Sequence, residues 1–452
     1  MASKKPKKSS SSSSKVSWRA GLSKVDITST EPIWLAGWGF RTERSKGVSQ
    51  KIWVKALAIQ SGSEPPCVWV TADILGFSRK MTATIAERVE KKYGIDRSRL
   101  LLNASHTHSA PVTGDVLRLY FDLPNAEEVV IQRYTKWLFD RVVDAVGQAL
   151  ADLSPAKLAY GSGLAGIAVN RRRAREGGRV LPTLVDPDVP VMTVRSPKGD
   201  LRGVVFGYAC HTTCISDDMI NGDYAGYAQA NLEEKHPGTI AMFVQGCGGD
   251  ANPLPRQRPG LGQAYGFILA QAVEVVLESP MKPVAGPLRV AFAEAVVPFE
   301  QLPTRQELVS LTPSPHAHIN RAVKYQLSFM NNGTDHRPTH LNYPIHVWQF
   351  GSDLKLISLS SEPVADYALR LKREHGPDDT WVAGFTDDYW CYIPSRRVWT
   401  EGGYEGHTGM LECDLPGPFA PCVEEVICHK VEELLQQSAG RARAYPRPSL
   451  HE

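Results

Sequence analysis

The sequence predicts an α/β protein built from mixed β-sheets with flanking helices. Two observations carry that reading. Short apolar runs rich in Val, Ile and Trp, bounded by turn residues, suit buried strands. Longer segments with apolar residues at helical spacing alternate with them along the chain. With 452 residues, 42% hydrophobic and 22% charged, the chain can bury a substantial core.

The elements follow in order. Residues 18–60 read as strands broken by Gly and Pro, and include KIWVKALAIQ (51–60). CVWVTADIL (67–75) is a second buried strand type. KMTATIAERVEKKYG (80–94) has helical spacing and a glycine stop. LLLNASHTH (100–108) returns to strand pattern, and 126–152 forms a long amphipathic helix. AKLAYGSGL (156–164), VPVMTVRS (189–196) and LRGVVFGYACHTT (201–213) read as strands. YAGYAQANLEEKHPG (224–238) is a helix, IAMFVQGCGGDANP (240–253) a strand entering a Gly-rich turn, and GQAYGFILAQAVEVVLE (262–278) a strong helix. Strands are expected to dominate 286–360. SEPVADYALRLKREHG (361–376) and CVEEVICHKVEELLQQ (422–437) are read as the last two helices.

Charge and cysteine usage exclude several classes. The formal charge is +3, but the leader MASKKPKKSSSSSSK holds five lysines and no acid. Beyond it, 46 basic residues face 48 acidic ones, so no nucleic-acid surface is expected. The Ser/Lys-rich stretch 1–17 reads as a disordered tail, and 438–452 as a loose C-terminal end. No apolar segment of a signal peptide lies near the N-terminus, and no run approaches ~18 apolar residues. By default this predicts a cytoplasmic protein without a transmembrane segment. Eight cysteines without CxxC spacing argue against a disulfide scaffold or zinc ribbon. No GxSxG elbow is present.

Several residues stand out. His106 and His108 follow an apolar run one residue apart. In a strand, residues i and i+2 share a face, so both rings can aim at one point. Two metal ligands, one ligand with one catalytic partner, and two hydrogen-bonded strand-end histidines all fit. His211 also ends a strand run, where a satisfied core histidine is the plain alternative. Glu362 opens a helix, where the macrodipole favours a carboxylate, and it is equally a potential metal ligand. The turn Gly246–Pro253 lacks the Lys-Ser/Thr of a phosphate loop, so its glycines are read as allowing a tight turn beside a site. Asn170–Arg179 carries five arginines, either a solvated loop or an anion clamp over a cleft. Tyr392 and Tyr404 lie in an aromatic-rich segment and fit packing or a site.

Taken together, these pieces resemble the neutral/alkaline non-lysosomal ceramidase family in its N-terminal catalytic domain. GLSKVDITSTEP and LAGWGFR resemble its opening, NASHTHSAP its histidine motif, and VDPDVPVMTV with YACHTT its second histidine segment. QGCGGDANP stands at its Gly-Asp turn, SSEPV at its glutamate segment, and YIPSRRVWTEGGYEG at its paired tyrosines. Six motifs occur in order over about 380 residues, which is specific for the superfamily.

The resemblance implies a catalytic domain over 18–437 and one zinc ion held by His106, His211, Glu362 and Tyr392. His108 then faces the substrate as general acid/base, Tyr404 stabilises the oxyanion, and Arg171 orients the substrate. Asp250 braces the Gly turn or a histidine. Two departures are expected. Asn252 stands where the family has a serine, and the chain leaves no room for the family's C-terminal immunoglobulin-like domain. A carboxamide cannot form an acyl-enzyme, so attack by zinc-activated water is the simplest route. The implied function is zinc-dependent cleavage of an amide in a small-molecule or lipid-like substrate, such as an N-acylated lipid or amino sugar. Cleavage of an ester, phosphoester or glycosidic bond in a polar or anionic substrate stays open. So do a non-catalytic binder with a vestigial site and the oligomeric state.

Overall fold

The computed structural model describes residues 17–121, 123–174, 184–331 and 334–440. The N-terminal leader up to residue 16 and the C-terminal stretch from 441 lie outside them. Thirteen strands join in one sheet. They are β1 Trp18–Asp26, β2 Trp53–Ser61, β3 Cys67–Ala72, β4 Leu100–Ala104, β5 Ser154–Leu164, β6 Asp188–Arg195, β7 Leu201–Tyr208, β8 Ile240–Gln245, β9 Lys282–Val284, β10 Leu288–Pro298, β11 His340–Phe350, β12 Leu354–Ser360 and β13 Thr380–Thr386. Their hydrogen-bonded order is β8-β7-β6-β5-β1-β2-β3-β4-β13-β12-β11-β10, with β9 beside β5. Three neighbouring pairs in this sheet run parallel: β3 with β4, β7 with β8, and β12 with β13.

The sheet curls back on itself. One apolar layer holds side chains from distant strands, among them Trp69, Leu101, Met192, Val205, Leu356 and Trp381. Edge strand β8 thereby meets β4 and β13. The Gln245 amide donates to Asn103 Oδ1 at 2.9 Å, and Gly246 bridges Ala383. Helices cover the outer faces. α1 (Arg79–Tyr93) and α2 (Asn125–Ala151) pack on one region. α3 (Asp223–Lys235) and α4 (Pro259–Glu278) cover a second, while α5 (Ala365–His375) and α6 (Val423–Ser438) cover a third. The section is therefore helix, sheet, sheet, helix.

Local signals explain the helix ends. Ser78 Oγ accepts from the Met81 amide at the start of α1, and Gly94 closes it. α4 is long and apolar enough, at a mean hydropathy of 1.3, to cross a membrane by length and composition. Its Leu269, Ala270 and Val273 are buried in the core with α3.

Strands dominate 286–360 as expected, with two helices among them. Helices Arg305–Ser310 and Ala317–Ser328 separate β10 from β11. The first is nucleated by a capping box in which Thr304 and Glu307 bond each other's backbone amides. Further short helices, Arg396–Glu401 and Gly409–Glu412, and a wider turn at Tyr404–Thr408 fall between the two helices read as last. All eight cysteines are unpaired, and seven are buried.

Trp381 sits at the centre of the strand-only layer, its ring 5.2 Å from that of Trp69. Trp381→Ala should cost about 3–5 kcal/mol by urea unfolding, because no helix can collapse into the void.

Candidate metal centre and active site

All six parallel strands deliver a group to one place just past their C-terminal ends, where open α/β sheets bind ligands. β3 leads to the Leu75 carbonyl, and β4 to His106 and His108. β7 leads to His211 and β8 to the Gly248 carbonyl. β12 leads to Glu362, and β13 to Tyr389 and Tyr392. A cavity of about 170 Å³ there is lined by His106, His108, His211, Glu362, Tyr392 and Tyr404, among others.

The two neighbouring histidines do not converge by strand alternation. β4 ends at Ala104, and His106 has φ 61°, a left-handed conformation. That kink brings His106 Nε2 to 3.1 Å from His108 Nε2. Ser361, just before Glu362, has φ 59°, and Phe385, whose ring lies 4.6 Å from that of His106, has φ 49°. Such conformations are unfavourable for side-chain-bearing residues and gather at functional sites.

The proton inventory is decisive for the chemistry. His106 Nδ1 lies 2.8 Å from the Leu75 carbonyl, and His211 Nδ1 lies 2.8 Å from the Gly248 carbonyl. A carbonyl only accepts, so each Nδ1 carries the proton and each Nε2 presents a lone pair. Burial pushes His106 down to about 4 against the pull of Glu362, and burial holds His108 and His211 well below the ordinary histidine value. The rings are thus neutral at neutral pH. Yet His211 Nε2 is 3.0 Å from Glu362 Oε2, and His106 Nε2 is 3.7 Å from Glu362 Oε1. Glu362 Oε2 has no hydrogen-bond partner. Buried acceptors facing one another need a cation among them. The ligand nitrogens of His106, His108 and His211 lie within 4.8 Å of one another. Two imidazoles, a carboxylate and a nearby phenol are a donor set that fits zinc.

Surrounding groups hold this set. Glu362 and Tyr392 are direct partners in a short parallel ladder. Tyr389 donates to Glu362 Oε1 at 2.7 Å. Arg171 lies 5.0 Å over the Tyr392 ring, and its Nη1 is 3.5 Å from His211 Nε2. Burial and Glu362 push the Tyr392 phenol well up, and Arg171 opposes them. Glu405 accepts from Arg171 Nε at 2.7 Å and from Arg172 Nη1 at 2.9 Å. The adjacent Tyr404 donates to Glu412 at 3.2 Å.

The sequence profile described as neutral/alkaline non-lysosomal ceramidase, N-terminal, matches residues 18–256. The chain belongs to this family. Neutral ceramidase of Pseudomonas aeruginosa is 28% identical over 261 residues, 54% of this chain and 38% of that protein. Neutral ceramidase of Mycobacterium tuberculosis is 25% identical over 243 residues, 48% of this chain and 37% of that protein. The chain thus aligns with less than two-fifths of either curated relative. The solved structure of the Pseudomonas aeruginosa neutral ceramidase superposes with a TM-score of 0.74 at 20% identity, covering 95% of this chain and 76% of that one. A ceramidase complexed with C2 gives 0.73 at 18% identity, covering 96% and 78%. These superpositions show the ceramidase fold.

Two expected residues of this ceramidase-family chain stand behind the cavity rather than on it. Asp250 accepts from the Ala365 amide at 2.9 Å and from Asn170 Nδ2 at 2.8 Å. It braces the turn but touches no histidine, since the turn's own carbonyls at Gly248 and Ala251 hold His211. Asn252 is buried opposite Val169 in a short antiparallel pair, its Oδ1 without a partner. The arginine-rich loop divides. Arg171 and Arg172 are buried ties to Glu401 and Glu405, not a solvated surface. Residues 175–183 lie outside the described residues. Sequence reasoning missed Tyr389, Glu405 and Arg256. A phenol three residues before Tyr392, in the same aromatic segment, was the available signal.

Burial raises Glu405, but Arg171 and Arg172 outweigh it and depress its pKa below the ordinary value. A depressed carboxyl stabilises the fold above its unfolded pKa and loses that contribution as pH falls through the folded value. Glu405→Gln should therefore destabilise by about 3 kcal/mol at pH 7, as for a broken buried pair. The gap to wild type should close below about pH 4 in thermal unfolding across pH.

Proposed function

We propose that this protein is a zinc-dependent hydrolase that cleaves an amide bond in an N-acylated substrate. The observation that carries the reading is the cluster of buried acceptors: Glu362 Oε2 has no hydrogen-bond partner, and the Nε2 atoms of His211 and His106 lie 3.0 Å and 3.7 Å from the Glu362 carboxylate oxygens. Family membership supports the choice of bond, since both curated relatives are named neutral ceramidase. His106, His211, Glu362 and Tyr392 would hold the zinc. When bound, zinc supplies a Lewis acid for the scissile carbonyl and lowers the pKa of bound water to about 7.

The chain's own groups do the rest. His108 is neutral and lines the cavity beside His106, where its ring can exchange the proton that the leaving amine requires. Its backbone is clamped, because Arg41 Nη1 donates to the His108 carbonyl at 2.7 Å. The Tyr404 hydroxyl turns from Glu412 to the developing oxyanion. Arg171 keeps positive charge beside Tyr392, which favours the phenolate a metal requires. Asp250 ties the Asn170–Arg171 segment to the start of α5, just after Glu362, and so sets the distance between them. Asn252 cannot form an acyl-enzyme, which leaves water as the nucleophile.

Metal analysis should find about one zinc per chain. His106→Ala and His211→Ala should lose both the metal and turnover of N-acyl amides. The reading fails if reconstituted protein takes up no zinc, or if His106→Ala keeps full turnover. A panel of amide, ester, phosphoester and glycoside substrates fixes the bond, and turnover of any of them excludes a pure binder.

Gly37 gives a second test. It has φ 85°, and a Cβ there would meet His108 Cγ at 2.4 Å. Gly37→Ala should displace His108 and lower kcat by about 100-fold or more, the range for a lost general acid/base, while zinc content stays at the wild-type level.

A further inference from the structure

We infer that His318 and Glu412 are positioning residues for the proposed reaction: Glu412 holds the Tyr404 hydroxyl at the cavity wall, and His318 holds Glu412. This deepens the amide-hydrolase reading and rests on it for the role of Tyr404 as oxyanion donor. Two side chains from separate parts of the chain converge on one atom. The Tyr404 hydroxyl donates to Glu412 Oε2 at 3.2 Å, and His318 Nε2 lies 3.6 Å from the same oxygen. A carboxylate only accepts, so the nitrogen that faces it carries a proton. Tyr404, Glu412 and Tyr120 all line the catalytic cavity. The His318 ring lies 4.9 Å from that of Tyr120, which leaves it between that phenol ring and the carboxylate.

His318 belongs to the helix Ala317–Ser328, and that helix is tied to two walls of the cavity. Arg321 donates to the Leu119 carbonyl at 2.8 Å and to the Tyr120 carbonyl at 3.0 Å. Gln326 Nε2 donates to the Asp414 carbonyl, two residues after Glu412, at 3.0 Å. The helix therefore fixes the segments that carry Tyr120 and Glu412 relative to each other. The geometry suits a donor that must change partners. A strong O–H···O bond is about 2.7–2.8 Å long, so a bond of 3.2 Å keeps the phenol in place yet yields its proton to a stronger acceptor. A developing oxyanion is such an acceptor. The Glu412 charge by itself would oppose an anion formed nearby, and the His318 N–H offsets it.

The test is a double-mutant cycle in the zinc-loaded protein, run on whichever substrate of the panel it turns over. Tyr404→Phe should lower kcat by about 100-fold or more, the range for a lost oxyanion donor. Glu412→Ala should lower kcat by about tenfold or more with KM within about threefold, because the phenol is misplaced while substrate binding is kept. Glu412→Gln keeps an acceptor and should retain most of kcat. His318→Ala should cost roughly two- to fivefold, as for a partly exposed ion pair. On the Tyr404→Phe background, neither Glu412→Ala nor His318→Ala should cost anything more. The His318 and Glu412 side chains are 20% and 19% exposed, so zinc content and the thermal unfolding midpoint should stay at the wild-type level. Losses that persist in full without the Tyr404 hydroxyl overturn the inference. So does wild-type kcat in either Glu412→Ala or Tyr404→Phe. If another bond than the amide is cleaved, the amide reading fails and the cycle still decides the positioning; no turnover across the panel overturns both.

Discussion

The structure turns on where two protons are. His106 and His211 each commit Nδ1–H to a backbone carbonyl, at Leu75 and Gly248, and so each turns an Nε2 lone pair inward. Glu362 places a third acceptor against them. In water this arrangement would relax. Here all three groups are at most 1% exposed, and the scaffold holds the acceptors together. A buried site of this kind is costly to the fold unless a cation or a proton joins its acceptors.

The curled sheet is what makes the constraint affordable. Each of the three parallel pairs leads to an inward-facing acceptor side chain, and two of them also to the carbonyl that orients a histidine. β7 presents His211, and its neighbour β8 leads to the carbonyl that fixes the tautomer. β4 presents His106, and β3 leads to Leu75. Left-handed residues at His106, Ser361 and Phe385 sit where the chain leaves these strands. Their conformational strain, on the order of 1–3 kcal/mol each, is held by the strand-only layer beneath. Close approach is also needed at the Gly-rich turn, where a Cβ on Gly249 would meet the Glu362 carbonyl at 2.4 Å.

Polarity distinguishes the cavity. Arginine, glutamate and tyrosine side chains make a buried network around it, with Glu405 neutralising Arg171 and Arg172 at once. This network fixes the segment that carries Tyr404, and it explains why two adjacent arginines avoid solvent. Asn252 is buried beside the same turn, its Oδ1 without a partner.

The sequence by itself determined the alternation of strands and helices, the donor types and the family. Its apolar periods and the motifs around His106, His211, Glu362 and Tyr392 were legible because they are local patterns. It expected strands to dominate 286–360, which they do, and did not single out the two helices at Arg305–Ser310 and Ala317–Ser328, the first of them capped at Thr304. It also placed Asp250 and Asn252 among the catalytic groups, because a motif marks a turn without saying which of its atoms face the cavity. Only the tertiary structure decided that His106 leaves the strand in a left-handed turn, that Tyr389 bonds Glu362, and that Arg256 reaches over Trp38. The physical reason is range. A histidine's tautomer depends on the carbonyl its Nδ1 meets, and those carbonyls belong to residues 31 and 37 positions away, brought close by parallel strands rather than by sequence.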